Sequence, residues 1–460
     1  MSVHDGGDTL VRRAAAIPFH RVLRRLARGP LKALAEIGGE ARGEVVRLGL
    51  GPFRPYLVTH PDHVQQVMRG GWSEFAREGM FWRPLRRVLG TTVIGEGPAW
   101  ESSRKILQPL FTARYVASLA EGLAGAVTES VDELDEVARS GRPIDAAEEM
   151  AAIVNRAVVR ALFGDKISRA DGELLAPALD AAATSMGLRL LMPSIPYSVR
   201  VPGDRAVTAA TAVVDGVVYP LISKARAGHD EGPDIVSALC RARAADQDGD
   251  RRIRDDLVGI YVGATETTAT ALTWLWPVLK DHPEVYARLV DEIDRVVGPG
   301  PVRPSHVPEL RYTKSVLQEL LRLYPVAWLW SRTAVGPAEL GGVRIEAGAQ
   351  LLISPYATHR LDEFWDRPAD FDPERFAPGA ATRRHRYAYF PFGGGPHQCL
   401  GRHLFYLEAP LIIAAVLRRF RPVVRGAGPF TPFPAVTLRP RQKVELDLLP
   451  RTPRARDPLI

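Results

Sequence analysis

The sequence predicts a mainly α protein with a small β part. Apolar residues recur with helical spacing over long stretches, most clearly at 98–110, 115–139 and 145–163. Short alternating segments occur mainly in two regions, approximately 44–60 and 330–355, and these segments predict strands. The most apolar stretch of the chain lies within one long predicted helix, so we expect that helix to run through the core.

Local sequence signals predict the individual helices and strands. Residues 44–60 alternate in polarity around Gly51-Pro52 and predict a hairpin, and Pro61 favours a helix start directly afterwards. Three prolines within MPSIPYSVRVPG break the helical pattern of residues 171–230 and predict two helices there. The proline- and charge-rich tail, 451–460, is predicted to be disordered. Further helices are predicted at about 254–280, 281–298 and 311–325, and further strands at LWSRTA, GVRI and AQLLISPY.

Length, composition and charge limit the classes of protein. A chain of 460 residues exceeds the usual size of a single core, so length alone favours two lobes. Hydrophobic residues make up 46% and charged residues 25%, as in soluble globular proteins. The net charge of +7 suits anionic lipid, an acidic protein or nucleic acid, but no basic block is interleaved with aromatic residues, which disfavours nucleic acid. Cys240 and Cys399 are the only cysteines, which predicts no disulfide framework and a cytoplasmic location.

Two segments share properties with membrane-binding sequences. The basic, amphipathic segment FHRVLRRLARGPLKALAEIGG could lie on a membrane surface, although a packed first helix is the favoured interpretation. The apolar stretch 260–279 approaches the ~20 residues that a membrane span needs. Glu266 and five threonines within it favour a helix through a protein core instead. The apolar part of the amino terminus is too short for a signal peptide. Because the stretch 260–279 is interpreted as a core helix, the sequence predicts no membrane span.

A glycine-rich loop, Phe392–Gly401 with the sequence FGGGPHQCLG, contains the most informative cysteine. A helical apolar run follows the loop, so Cys399 lies at the start of a predicted helix. Backbone N–H groups and the helix dipole favour a thiolate there, and a thiolate is a good ligand for a haem iron. The glycines would let the backbone pass close under a flat cofactor. Without these neighbours, a lone cysteine would more often be a small buried hydrophobic residue.

The spacing of the loop residues makes the motif specific. Five fixed residues occur at fixed distances in the pattern Phe392-Gly393-x-Gly395-x-x-x-Cys399-x-Gly401. This pattern closely resembles the haem-binding signature of the cytochrome P450 family. The family usually has Arg two residues before the cysteine, where this chain has His397.

The resemblance implies a fold and a cofactor. With four further motifs in the family's order, it runs from about Gly51 to Val444. It implies one domain over residues 1–450 with the cytochrome P450 fold, in which a long central helix and the cysteine loop enclose haem b. Cys399 would then bind the iron, and a Cys ligand favours O–O cleavage. The other cofactor-binding residues of the loop would be Phe392, Gly393, His397 and Gly401.

Four residues resemble the family's contacts with the haem propionates. Trp100-x-x-x-Arg104 matches the helix that meets one propionate, and Arg332 in WSRTA matches another propionate arginine. Arg gives bidentate, charge-assisted hydrogen bonds to a carboxylate. His397 occupies the place of a third arginine, and its imidazole can donate only one such bond and titrates.

The long helix contains Gly263-Ala264-Thr265-Glu266-Thr267-Thr268, which resembles the family's oxygen-binding motif. Ala264 stands where Gly is commoner, and it would border the cofactor. A Thr hydroxyl can bond back to a carbonyl and bend the helix, which would open space for dioxygen and an ordered water. The resemblance implies that Thr267 holds that water near the iron and that Glu266 passes protons inward.

A further motif resembles the family's structural network. Glu319 and Arg322 lie at i and i+3 in LQELLRLYP, which matches the family's Glu-x-x-Arg helix. The segment DPERF adds Arg375. These three charged residues would hold the segment ahead of the cysteine loop, 362–391, and so retain the haem without taking part in the chemistry.

The resemblance identifies a soluble haem-thiolate monooxygenase that inserts one atom of dioxygen into a hydrophobic small molecule, such as a terpene-like, fatty or polyketide-derived compound. Electrons would pass from NAD(P)H through a ferredoxin reductase and a ferredoxin, or a flavodoxin-like donor, to a monomeric enzyme. Two alternatives stay open: a peroxide-using haem-thiolate enzyme and a non-catalytic haem or ligand carrier. Residues 71–99 form an aromatic-rich loop that could cover a pocket or pack in the core. The predicted pocket residues are Phe81, Ile260, Ala264, Val326, Ala327 and Val436.

Overall fold

The structure, a computed structural model, describes residues 12–79, 82–185, 198–227, 233–245, 248–380 and 384–451. Most of these residues are helical. The α-helices are α1 Phe19–Leu26, α2 Pro30–Glu40, α3 Pro61–Gln65, α4 Trp82–Leu89, α5 Gly97–Leu110, α6 Ala113–Ser118, α7 Ala120–Ser140, α8 Ala146–Phe163, α9 Arg169–Ser185, α10 Asp204–Ala227, α11 Ile235–Ala242, α12 Gly249–Asp281, α13 Pro283–Val297, α14 Arg311–Leu323, α15 Pro355–Thr358 and α16 Arg402–Arg419.

The strands are short, and the predicted fold class of mainly α with a small β part is confirmed. The strands are β1 Ala15–Ile17, β2 Val46–Leu48, β3 Tyr56–Val58, β4 Phe75–Ala76, β5 Ile144–Asp145, β6 Trp330–Ala334, β7 Ala338–Leu340, β8 Val343–Ile345, β9 Gln350–Ile353, β10 Phe420–Val424, β11 Pro432–Pro434, β12 Leu438–Pro440 and β13 Glu445–Pro450.

The described residues form two compact units. The first contains the described parts of Met1–Gly79, Arg322–Phe371 and Gly379–Cys399, and the second contains those of Met80–Leu321, Asp372–Pro378 and Leu400–Ile460. The prediction that residues 1–450 form one domain stays a prediction. The predicted disordered tail lies outside the described residues, except for its first residue, Arg451.

The first unit is built on a six-stranded sheet of order β1-β2-β3-β9-β6-β4. Strands β2 and β3 pair antiparallel, as the alternating segments predicted, and β3 pairs parallel to β9. The inner faces bury apolar side chains of several strands, including Val58, Phe75 and Ile353. This sheet fixes β6, the strand that contains Arg332, between β9 and β4.

The second unit is built on α12, a helix of 33 residues. Two buried polar contacts fix the first half of this helix. Arg243 Nη2 lies 2.8 Å from Asp256 Oδ2, and the Tyr261 hydroxyl donates to Asn155 Oδ1 on α8. Trp274 Nε1 donates to Leu438 O at 2.8 Å, which ties the β11–β12 hairpin to the second half. The helix therefore serves as a rigid frame for the groups on it.

One predicted helix is divided in the structure. The helical pattern at 115–139 corresponds to α6 and α7, which are separated at Leu119. Ser118 Oγ donates to Tyr115 O at 2.7 Å, and a Ser hydroxyl bonded in this way competes with the backbone ladder. Of the proline-rich segment between α9 and α10, residues 192–197 lie outside the described residues.

Two spans in the described part of the chain are long and apolar enough to cross a membrane by length and composition. They are Asp204–Ala227 and Gly395–Arg419. In their most apolar 18-residue stretches, 39% and 67% of the residues, respectively, are buried inside the protein. A core helix passes the same test, so the two spans are weak indications of a membrane protein.

Candidate active site

The cysteine loop is an ordered turn that presents an exposed cysteine. Residues Gly395–His397 form a 3-10 turn, and Cys399 N–H donates to Phe392 O at 2.9 Å. Cys399 is exposed and precedes the first residue of α16 by three positions. A thiol held by the backbone just before a helix can act as a metal ligand, because nearby N–H groups stabilise its thiolate.

The loop glycines are required by contacts with the protein itself. Gly393 and Gly395 have φ angles of 67° and 66°, in the left-handed region. A Cβ added at Gly393 would lie 2.1 Å from the Trp330 ring, and one at Gly395 would lie 1.8 Å from Met68 O. The sequence suggested that the glycines serve close approach to a cofactor. In the structure, they let the loop pack against β6 and the segment that contains Met68.

Two candidate propionate contacts lie in the same unit as the loop. Arg332 is buried on β6, and its Nη1 donates to Ser331 O at 2.8 Å. His397 is also buried, and its ring meets Trp72 edge-on with the ring centroids 5.6 Å apart. The structure therefore holds His397 in a defined position in the turn, next to an aromatic side chain.

The other two candidate propionate contacts lie on α5 in the second unit. Trp100 is buried, whereas Arg104 is partly exposed and its Nε donates to Gln108 Oε1 at 3.3 Å. The i, i+4 spacing from Trp100 to Arg104 places both residues on one face of the helix, as the sequence predicted.

A less buried stretch interrupts the long helix α12 at the predicted oxygen-binding motif. The helix is mostly buried at 253–261 and at 268–279, but residues 262–267 are partly or fully exposed. A Cβ added at Gly263 would meet no atom within 4 Å. Thr267 Oγ1 donates back to Gly263 O at 2.5 Å, as the motif predicted. The helix therefore presents Ala264 and Thr267 at a place where packing is relaxed.

Glu266, the predicted proton-relay acid, points to a hairpin of the same unit. Its Oε1 accepts a hydrogen bond from Thr437 Oγ1 at 2.8 Å and another from Arg439 Nη2 at 3.0 Å. No local sequence pattern indicates these contacts, because Thr437 and Arg439 lie more than 170 positions from Glu266.

A buried acid on α16, Glu408, was not predicted from the sequence. It is fully buried, and burial raises the pKa of its carboxyl from the ordinary glutamate range to about 8. Thr268 is the polar side chain next to it, but neither carboxylate oxygen meets hydrogen-bond geometry with any described residue. A single Glu within the apolar run FYLEAPLII was the signal that could have revealed it.

Of the three predicted structural residues, Glu319 and Arg322 are fully buried and Arg375 is partly buried. Arg375 Nε lies 3.3 Å from Glu319 Oε1, and the same carboxylate oxygen accepts from the backbone N–H of Asp372 at 2.9 Å. In the first unit, Arg322 donates to three backbone carbonyls, those of His359, Pro368 and Asp370. Each charge thus fixes a segment that has no regular secondary structure.

The predicted pocket residues differ in exposure. Ile260 and Val326 are buried, and Ala264 and Ala327 are partly buried. Val436, at the turn of the β11–β12 hairpin, is 52% exposed, so nothing in its own unit covers its side chain completely. Phe81 lies outside the described residues.

The residues present fit a haem. In the first unit, the structure presents an exposed thiol from a rigid turn, with a buried arginine, Arg332, on the neighbouring sheet. In the second unit, Gly263 has open space where a side chain would be, and its carbonyl accepts from the Thr267 hydroxyl. A soft thiolate suits iron, and guanidinium groups suit carboxylates.

Comparison with known proteins assigns the family. The model of the cytochrome P450 family matches residues 22–446. The chain therefore belongs to the cytochrome P450 family, and it is an oxidoreductase of the monooxygenase class. The resemblance drawn from the cysteine loop is confirmed.

Relatives of known activity cover nearly the whole chain. Cyclooctatin synthase of Streptomyces melanosporofaciens is 34% identical over 431 residues, which are 92% of this chain and 90% of that protein. Cyclooctat-9-en-7-ol 5-monooxygenase of the same organism is 32% identical and covers 86% of each chain. Pentalenene oxygenase of Streptomyces avermitilis is 27% identical over 95% of this chain and 97% of its own.

A solved structure supports the fold independently. The crystal structure of the cytochrome P450DA heme domain superimposes with a TM-score of 0.83 over 96% of this chain and 99% of its own. Its sequence is 23% identical, so this likeness establishes the fold alone.

Proposed function

We propose that this protein oxidises a cyclic terpene hydrocarbon or terpene alcohol. One atom of dioxygen enters the substrate, and the other is reduced to water by two electrons and two protons. The names of two relatives give cyclooctat-9-en-7-ol and pentalenene as the compounds they act on, and these names support an unsaturated apolar substrate. The partly exposed stretch 262–267 of α12, next to the buried apolar Ile260, is the observation that supports this function best.

Each site residue has a proposed role. Bound haem b supplies dioxygen activation, and the thiolate of Cys399 is its iron ligand. The side chains of Trp100, Arg104, Arg332 and His397 hold the propionates. Phe392, Gly393 and Gly401 shape the ligand loop. Apolar residues exclude water from the substrate, which strengthens every electrostatic contact in the site; they are Ile260, Ala264, Val326, Ala327 and Val436.

Protons are proposed to move along side chains of α12. Thr267 Oγ1, which donates to Gly263 O, can also accept a hydrogen bond and so hold a water molecule in the relaxed stretch. Glu266 is the next proton carrier toward solvent, because its side chain is only partly buried. The carboxylate can pass a proton to the hydroxyl-bound water, and each group then takes up another proton and returns to its starting state.

Electrons are proposed to come from NAD(P)H through a separate reductase and a ferredoxin or flavodoxin-like protein in the cytoplasm. Arg402 and His403 immediately follow the ligand loop, and both side chains are exposed. These side chains would attract an acidic partner.

The experiment is a screen of the purified, haem-loaded protein against cyclic terpenes, fatty acids and a polyketide. We expect a substrate-induced spin-state shift with terpenes. With a surrogate ferredoxin, its reductase and NADPH, we expect a product that contains one atom of isotopically labelled dioxygen. A shift only with fatty acids would contradict the substrate class. Product formation with hydrogen peroxide but not with NADPH would favour the peroxide-using alternative.

A further inference from the structure

Three side chains form a closed hydrogen-bonded group between α12 and the β11–β12 hairpin. Thr437 Oγ1 and Arg439 Nη2 both donate to Glu266 Oε1, at 2.8 Å and 3.0 Å. Arg439 Nε also donates to Thr437 Oγ1, at 3.3 Å. Each member therefore contacts the other two, and the position of the carboxylate is set by two donors at once.

The hairpin is a firm support for this group. Leu438, between Thr437 and Arg439, is fully buried, and its carbonyl accepts from Trp274 Nε1 of α12 at 2.8 Å. Strand β12 pairs antiparallel with β11, with Phe433 opposite Arg439. Because the strand is held at Leu438, Thr437 and Arg439 cannot move independently of each other. The fold therefore fixes the positions of both donors relative to α12.

The two bonds leave part of the carboxylate free. Both fall on Oε1, and Glu266 Oε2 has no partner among the described residues. Glu266 and Arg439 keep 30% and 46% of their side-chain surface exposed, so water can reach the Glu266 side chain. The adjacent Thr267 lies about 100° further round the helix.

We propose that Arg439, assisted by Thr437, is a positioning residue for proton delivery. It fixes the Glu266 carboxylate so that Oε2 accepts protons from solvent and passes them toward Thr267. This inference rests on the proposed monooxygenase function. No bond is made or broken at Arg439. It acts by restricting the rotamers of Glu266, a side chain that otherwise samples many conformations and would meet the relay water less often.

The test compares Arg439→Gln with wild-type protein, both haem-loaded and supplied with the same reductase, ferredoxin and substrate. We expect haem content and substrate affinity to be unchanged. Product per NADPH should fall by about tenfold, less than the ~10²-fold or more that loss of a proton donor itself causes. Hydrogen peroxide should rise to balance the electrons, and the solvent deuterium isotope effect on product formation should increase. Arg439→Lys should recover part of the coupling, since an ammonium can still reach Glu266 Oε1.

A matched control and a second readout separate positioning from mere support of the hairpin. Arg441 lies two residues further on, with its guanidinium 4.9 Å from the Phe433 ring centroid, and Arg441→Gln should keep wild-type coupling. Hydrogen–deuterium exchange of residues 431–442 should be faster than in wild type in both Arg439→Gln and Glu266→Gln. The double variant should exchange no faster than either single variant.

Each outcome has one meaning. Unchanged exchange in both single variants would show that the group does not form in solution, and this would overturn the inference. Faster exchange with wild-type coupling and isotope effect would make Arg439 a structural residue only, which also overturns it. If wild-type protein itself forms no product with NADPH, the proposed function fails, and the positioning role fails with it.

Discussion

His397 and Cys399 are two residues apart in the ligand turn, yet one is buried against Trp72 and the other is exposed. This difference fits separate tasks, with the exposed Cys399 as a metal ligand and His397 fixed by its surroundings. An imidazole in this place can donate one hydrogen bond where the family's arginine can donate two.

Substitution of His397 tests that task. If His397 donates to a propionate, His397→Ala should release haem roughly 10- to 100-fold faster, since a hydrogen bond to a charged group contributes roughly 1.5–3 kcal/mol. His397→Arg should retain haem at least as well as wild type. The measurement is the rate of haem transfer to an excess of apomyoglobin. Equal rates in the three proteins would remove His397 from the cofactor site.

Glu408 should make the stability of the protein depend on pH. Burial raises its folded-state pKa to about 8, so between about pH 4.5 and 8 the folded state binds more protons than the unfolded state. Stability should therefore fall as pH rises through this window, by roughly 5 kcal/mol at most. In urea unfolding, the free energy of unfolding of Glu408→Gln should equal that of wild type near pH 5 and exceed it near pH 9. A parallel pH dependence in the two proteins would contradict this account.

At the scale of elements, the ligand loop depends on glycine at Gly395 for two reasons, its left-handed φ and the closeness of Met68 O. Gly395→Ala should lower haem incorporation strongly, because a Cβ 1.8 Å from a backbone oxygen forces the loop to move. Gly51→Ala is the matched control, since Gly51 has a φ of 69° but no atom within 4 Å of an added Cβ. It should cost only about 1–2 kcal/mol of stability. Haem content and unfolding midpoints of both variants give the answer. Normal haem content in Gly395→Ala would show that the loop tolerates displacement.

Elements defined by local patterns could be predicted, and contacts between distant elements could not. Helix α12 was expected at about 254–280 and spans Gly249–Asp281, because its apolar periodicity is a property of neighbouring residues. The bonds from Thr437 and Arg439 to Glu266 depend on how a hairpin packs on that helix, and no local pattern encodes them. The same holds for Glu408, whose raised pKa results from burial rather than from sequence.

At the scale of the whole molecule, the net charge of +7 and the exposed Arg402 and His403 favour an acidic electron donor. Reduction by a ferredoxin should slow as ionic strength rises, because salt screens attraction between charged surfaces. Arg402→Glu should slow it as well. Arg421→Glu, beyond the other end of the 18-residue helix α16 and so about 27 Å away, should have little effect. Stopped-flow reduction of the CO-saturated protein measures the rate. A rate that is independent of salt and of Arg402 would exclude this docking face.

Cys399 is proposed to be the thiolate ligand of a haem iron, and the reduced CO-difference spectrum is sensitive to that ligand itself. Wild-type protein should give the red-shifted CO band that thiolate ligation produces, and Cys240→Ser should give the same band, because Cys240 is buried on α11, away from the loop sequence. Cys399→Ser should lose that band while it keeps its fold. An unchanged spectrum in Cys399→Ser would contradict the account.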